Sequence, residues 1–442
     1  MQDISLESII KYRLLEIERA FRRALDKVKG TTLKSPYGEE IKDIFEDVVN
    51  GFINYLKVFS NEAVDLRQEA RYRRMDQIRI LSDTLLGIIE DILSQEASTE
   101  LYYFLDYYLD LLVDGKILTD RPKILIIKGY RTQTYNLLDL IASIFVSDSD
   151  VISKLWQDQR RELWIIEVSP KIEGNVFEWP ILLHELAHIV EDNLKIVDTK
   201  FKRCYWPWEL QTGSVEVMEY FHCKEYVCDY IALLLCGPIW LFVLYDLYLL
   251  PTYRIPTTHP EWINRVMIVK DRVSSYLCDL KQKISNNEFK FFEGIEGLIK
   301  FINDIEQLKY EDLQPLQPLL RKPRLLDDIF AEVEEKMTNV RFKIDLDDML
   351  GCFNYLIKLE PYISRSIYIV NEKEKNYDSR DIDINVIINS GYLIYRLNIF
   401  NREVKEFFEF DDYKVRSEFI YLVSECVRSA RIAMIAKEAL LS

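Results

Sequence analysis

The run IALLLCGPIWLFVLY (231–245) carries no charged side chain, and it constrains the fold more than any other stretch of the chain. A segment this apolar has to leave water. Crossing a bilayer takes about 20 predominantly apolar residues, and Gly237-Pro238 breaks a helix near the middle of this run. The reading is therefore a buried core segment, with membrane contact as the alternative. Only 13 glycines and 13 prolines occur in 442 residues, which suits long helices better than a fold of many tight turns.

The chain is long enough for two or three domains. Residues 4–113 read as helical hairpins, with apolar residues at helical spacing in SIIKYRLLEIERAFRRAL and IKDIFEDVVNGFINYLKVF. Breaks are expected at KGTTLKSPYG (29–38) and SQEAS (94–98). In LYYFLDYYLDLLV (101–113), Asp106 and Asp110 fall one turn apart and read as a solvated stripe. RPKILIIKGY (121–130) and ELWIIEVSP (162–170) read as strands, with a helix around 136–146 between them, forming a small sheet behind the helix that follows. Helical patterning returns after about residue 275, interrupted by NNEF (286–289), LQPLQPLLRKPR (313–324) and the charged NEKEKNYDSRDID (371–383). The expected fold class is mainly α with a small β-sheet (α+β). The expected division is a helical domain over 1–118, a core over 119–275 and a second helical domain over 276–442.

A formal charge of −16 disfavours a broad nucleic-acid surface, because phosphate binding needs a positive field. The basic cluster at Arg67, Arg71 and Arg74 reads as a solvated helix face paired with neighbouring acids, with a docking site for an acidic partner as the alternative. Seven cysteines without a CxxC read as reduced thiols, and no secretory signal is visible in MQDISLESIIKYRLLEIERA. The expected location is the cytoplasm.

Chemistry concentrates in WPILLHELAHIVED (179–192), which holds two of the four histidines. On a helix, His184 and His188 project from one face and can bind one ion. Glu185 lies about 100° round the helix, poorly placed as a ligand but able to serve as a general base. Pro180 suits the first turn. A third ligand is needed from another element, and VEVMEYFHCKEYVCDYIALLLCGP (215–238) reads as a helix ended by Gly-Pro, with Glu225 and Asp229 one turn apart. That spacing suits a ligating carboxylate followed by a carboxylate that orients a ligating histidine. Glu225 pairing with Lys224 or with a distant base is the structural alternative, and His222, three residues before Glu225, is a rival ligand.

HELAH followed by EYVCDYIALLL resembles the gluzincin zinc peptidases, in which HExxH supplies two histidines and a later ExxxD helix supplies the glutamate. TTHPEWINRV (257–266) is similar to the Thr-His-Pro segment and trailing arginine of the HtpX-type and CaaX-prenyl-type branches. EYVCDYIALLLCGP also resembles the second helix of the ImmA/IrrE-type peptidases. The resemblance covers roughly 160–270. It implies Zn²⁺ held by His184, His188 and Glu225, with Glu185 as base and Asp229 in support. It also implies His259 and Arg265 near the site, where His259, Arg265 or a cleft tyrosine would stabilise the oxyanion. Cys228 stands where the pattern usually has alanine, and HtpX-type transmembrane helices are not evident. A set using His222 instead of Glu225 would resemble the SprT-like proteases.

The function implied is hydrolysis of peptide bonds in a protein or peptide substrate, with the helical flanks controlling access or recruiting a regulatory partner. The ImmA-like pattern adds regulated proteolysis in a bacterial stress or defence response. The alternatives are an interaction protein with a vestigial site, and a membrane-associated peptidase.

Overall fold

A computed structural model of the chain describes residues 6–62, 68–129, 132–137, 163–205, 209, 214–249, 259–286, 295–309, 323, 325–340, 346, 348–349, 351–352, 383–397, 419–428, 430–432 and 435. It is mainly α-helical with one small mixed sheet. The contacts divide it into two compact units, one of residues 1–102 and 121–173, the other of 103–120 and 174–442. The strands thus group with the N-terminal helices, and the helix carrying HELAH belongs to the other unit.

The first unit contains α1 (Leu6–Gly30), α2 (Gly38–Glu62), α3 (Gln68–Gln95) and the start of α4 (Thr99–Asp114). The breaks fall at 29–38 and 94–98, as the sequence suggests. Its strands are β1 (Lys123–Lys128), β2 (Gln133–Asn136) and β3 (Leu163–Val168), in the order β1-β3-β2. β1 pairs parallel with β3, with Ile124 opposite Trp164, and β2 pairs antiparallel with β3, with Thr134 opposite Ile166. Side chains alternate across a strand, and Leu125, Ile127, Leu163 and Ile165 join the core built by Phe21, Phe45, Phe52 and Leu81 of the helices. The expected helix at 136–146 lies outside the described residues beyond Leu137, as does Arg67 of the basic cluster. So do 287–289 of the first expected loop, all but Pro323 of 313–324, and 371–382 of the charged segment.

The second unit is helical among its described residues. After a helical turn at Pro170–Glu173, which closes the first unit, come α5 (Pro180–Leu194), α6 (Ile196–Phe201), α7 (Val215–Cys236) and α8 (Ile239–Leu249). They are followed by α9 (Trp262–Asn286), α10 (Ile295–Gln307), α11 (Leu326–Lys336) and α12 (Ile384–Leu397). α7 lies centrally, touching α5, α6, α8, α9 and α11. Every residue from 225 to 245 is buried, so the apolar run is core. No helix among the described residues is long and apolar enough to cross a membrane.

The run is split where Gly237 adopts φ 76°, ψ −157°, a backbone region open to glycine and strained for other residues. Asn389 of α12 clips this break from outside. Its Oδ1 accepts the Ile239 N–H at 2.9 Å and its Nδ2 donates to the Cys236 carbonyl at 2.8 Å. Asp106 and Asp110 are not the solvated stripe expected of them. Arg431, with a side chain 4% exposed, pairs with Asp110 and lies 3.8 Å from Asp106. A buried guanidinium requires such partners, so the aspartates anchor the C-terminal helical residues.

Candidate metal centre

α5 begins at Pro180, whose missing N–H costs nothing in the first turn, and ends where Lys195 turns left-handed at φ 51°. Its side chains are buried almost all round, including His184 and Glu185 at 5% exposure each. α5 packs along α7, and this brings the two i, i+4 pairs together.

His184 Nε2 lies 3.4 Å from Glu225 Oε2, and His188 Nε2 lies 3.7 Å from Glu225 Oε1. Among the described residues, His184, His188 and Glu225 form a group whose ligand atoms all lie within 4.8 Å of one another. His222 is buried on the same helix but does not join that group. Lys224 does not pair with Glu225; its Nζ is 3.4 Å from Asp198 Oδ1.

The opposite edges of both rings are also held. His184 Nδ1 is 3.1 Å from Asp229 Oδ1, and Asp229 takes a bidentate pair from Arg265, at 2.7 Å from Nε and 2.6 Å from Nη2. Arg265 is 3% exposed and lies over the Trp262 ring at 4.6 Å. Its guanidinium pairs with Asp229 and also faces the ligand group, with Nη2 3.3 Å from His184 Nδ1 and Nη1 3.7 Å from Glu225 Oε2, so Arg265 lies at the site and holds Asp229. His188 Nδ1 lies 3.2 Å from Cys228 Sγ. Trp240 of α8 stacks on His184, with ring planes 13° apart and centroids 5.5 Å apart. His259 stands at the rim, its side chain 41% exposed and its Nε2 3.4 Å from Glu225 Oε1. Thr257 and Thr258 lie outside the described residues.

The electrostatics follow from these contacts. Burial and the Arg265 charge oppose protonation of His184, but its hydrogen bonds to Asp229 and Glu225 prevail and hold it up at about 9. Burial drives His188 down to about 3 against the pull of Glu225. Burial would raise Glu225, yet the surrounding imidazoles, led by His184, hold it well below the usual carboxylate range. Asp229 is likewise lowered, burial being outweighed by Arg265. Cys228 is pushed well up by burial, then by Glu225, and stays a neutral thiol.

These residues fit a zinc ion. Two imidazole nitrogens and a carboxylate oxygen are the donors of catalytic zinc sites that leave a position open. Glu225 Oε2 is buried between His184 Nε2 at 3.4 Å and Arg265 Nη1 at 3.7 Å, with no well-formed hydrogen bond to either, an arrangement that a cation held between the carboxylate and the imidazoles would satisfy better. No protein-family model, no curated protein and no solved structure matches this chain.

Trp240 and Cys228 take part in the site without having been singled out for it. Trp240 sits in the apolar run, where no sequence signal separates a residue that stacks on a histidine from core. Cys228 could have been found by helical arithmetic, since it lies three residues after Glu225 and so shares its face of the helix.

Proposed function

We propose that the chain is a cytoplasmic zinc-dependent hydrolase of peptide bonds in a protein or peptide substrate. The observation that carries this reading is the convergence of His184, His188 and Glu225 within 4.8 Å, on helices whose HExxH and ExxxD spacing resembles that of the gluzincin peptidases. Zinc, when bound, polarises the scissile carbonyl and lowers the pKa of water towards ~7. Glu185 takes the proton from the attacking water and passes it to the leaving amine nitrogen, the two-way transfer expected of a general base that becomes a general acid. His259, at the rim, donates a hydrogen bond to the oxygen on which negative charge develops. Asp229 accepts the Nδ1 proton of His184 and keeps Nε2 turned towards Glu225, and Arg265 holds Asp229 in place. The helices outside this centre admit substrate or bind a regulatory partner.

Purified without chelator, the protein should carry about one zinc per chain, read by elemental mass spectrometry. Glu185→Gln should keep the metal and cut cleavage of a verified substrate by at least ~10²-fold. A preparation with no bound transition metal, or a Glu185→Gln variant as fast as the wild type, defeats the reading.

A further inference from the structure

The two histidines of α5 are held unequally. His184 has Asp229 and Arg265 at its edge and Trp240 against its face. His188 is the more exposed ring, its side chain 27% accessible, and it has far less support. Besides Glu225 at 3.7 Å and the edge of His184, the one polar group holding it among the described residues is Cys228 Sγ, at 3.2 Å from Nδ1.

Consecutive residues of α7 therefore meet the two rings in the same way, Asp229 at Nδ1 of His184 and Cys228 at Nδ1 of His188, while both Nε2 atoms face Glu225. A neutral imidazole carries one N–H, and the group bonded to one nitrogen decides which lone pair the other presents. We infer that Cys228 is a positioning residue for His188: its sulfur accepts the Nδ1–H, fixes the ring plane and leaves the Nε2 lone pair directed at the metal position beside Glu225. A thiol can do this without charge. A carboxylate at position 228 would put a further anion beside Glu225 and Asp229, which are both fully buried or nearly so; a sulfur acceptor orients the ring and leaves the charge of the pocket unchanged.

This inference rests on the metal reading above, and the experiment separates the two. The full-length chain and its Cys228→Ala and Cys228→Ser variants are titrated with Co²⁺ against a competing chelator. The histidine rings are followed by ¹⁵N NMR with and without metal, a tractable spectrum because the chain has 4 histidines. Cys228→Ala should weaken cobalt binding by about 10- to 100-fold, the range for loss of an orienting partner. Cys228→Ser, which restores an acceptor, should recover most of it. In metal-free protein, Cys228→Ala should shift the His188 resonances and leave those of His184 in place.

Unchanged cobalt affinity with unchanged His188 resonances overturns the inference. So does sulfur-to-cobalt charge-transfer absorption in the wild type, which would make Cys228 a ligand itself. Equal losses in the alanine and serine variants would reduce Cys228 to packing. If the wild type takes up no cobalt, the metal reading fails, and the metal-free spectra alone decide whether Cys228 holds His188.

Discussion

Asp229 carries the electrostatics of the centre at the scale of single residues. It is 0% exposed and engages a cation and an imidazole at once. Breaking a buried pair leaves its partner's charge uncompensated, at about 3–5 kcal/mol. Asp229→Ala should therefore lower stability by about that amount and weaken zinc binding 10- to 100-fold, as denaturant titration and chelator competition would report. Glu225→Ala should abolish stoichiometric zinc, and His222→Ala should leave affinity nearly unchanged. The reverse ranking would move the site to a three-histidine set. Glu191, three residues beyond His188, supplies a pH effect. Burial lifts it to about 7, opposed by the Val197 N–H and by Lys224, while its second oxygen, Oε2, is buried without a hydrogen bond. An acid whose folded pKa exceeds its unfolded value of about 4.5 stabilises the fold most below that value, and the contribution is lost as pH rises through about 7. Glu191→Gln stays neutral, so at pH 8 it should be more stable than the wild type by roughly 1–3 kcal/mol, with little difference at pH 4. Equal stabilities at both pH values would show that Glu191 is charged at little cost in the fold.

At the scale of elements, the break between α7 and α8 sets where Trp240 meets His184. Asn389 is the one side chain among the described residues seen to bond both sides of that break. Replacing it with alanine leaves the Ile239 N–H and the Cys236 carbonyl without this partner inside the core, and each such loss costs about 1–3 kcal/mol. Asn389→Ala should lower the melting temperature and loosen the stack of Trp240 on His184, visible as a change in Trp fluorescence. An unchanged melting temperature would mean that the helix break is held by packing alone. Much at this scale was legible beforehand. Helix ends at Gly30, Pro180 and Gly237 follow from local chemistry, and Ile124–Ile127 and Leu163–Ile166 show the β-branched texture of buried strands. The pairing of α5 with α7 followed from two i, i+4 spacings. What escaped was non-local. β2 is four residues, Gln133–Asn136, with no apolar alternation, and is a strand because β3 offers it an edge. The fate of Asp106 and Asp110 depended on Arg431, more than 300 positions away.

For the whole molecule, the chain passes between two units and returns, with 103–120 in one and 121–173 in the other. Consecutive blocks of sequence cannot express this: the strands that directly precede HELAH in the chain group with the N-terminal helices instead. Each unit has its own apolar core, from Phe21, Phe45 and Phe52 in the first to Leu186, Tyr226 and Trp240 in the second. All three ligands of the proposed site belong to the second. A ligand that binds only the folded state stabilises it by RT ln(1 + [L]/Kd), about 2.7 kcal/mol at 100 times Kd. That stabilisation reaches only the segments that must unfold for the ligand to leave. Zinc should therefore slow amide hydrogen exchange in peptides from Pro180–Leu194, Val215–Cys236 and the start of Trp262–Asn286, by up to about 100-fold where exchange requires the site to open. Peptides from Leu6–Gly30 and Gly38–Glu62 should exchange at the same rate with and without metal. Equal slowing in both sets would mean that the two units unfold as one. No slowing in either would mean that zinc does not bind the folded chain at these helices.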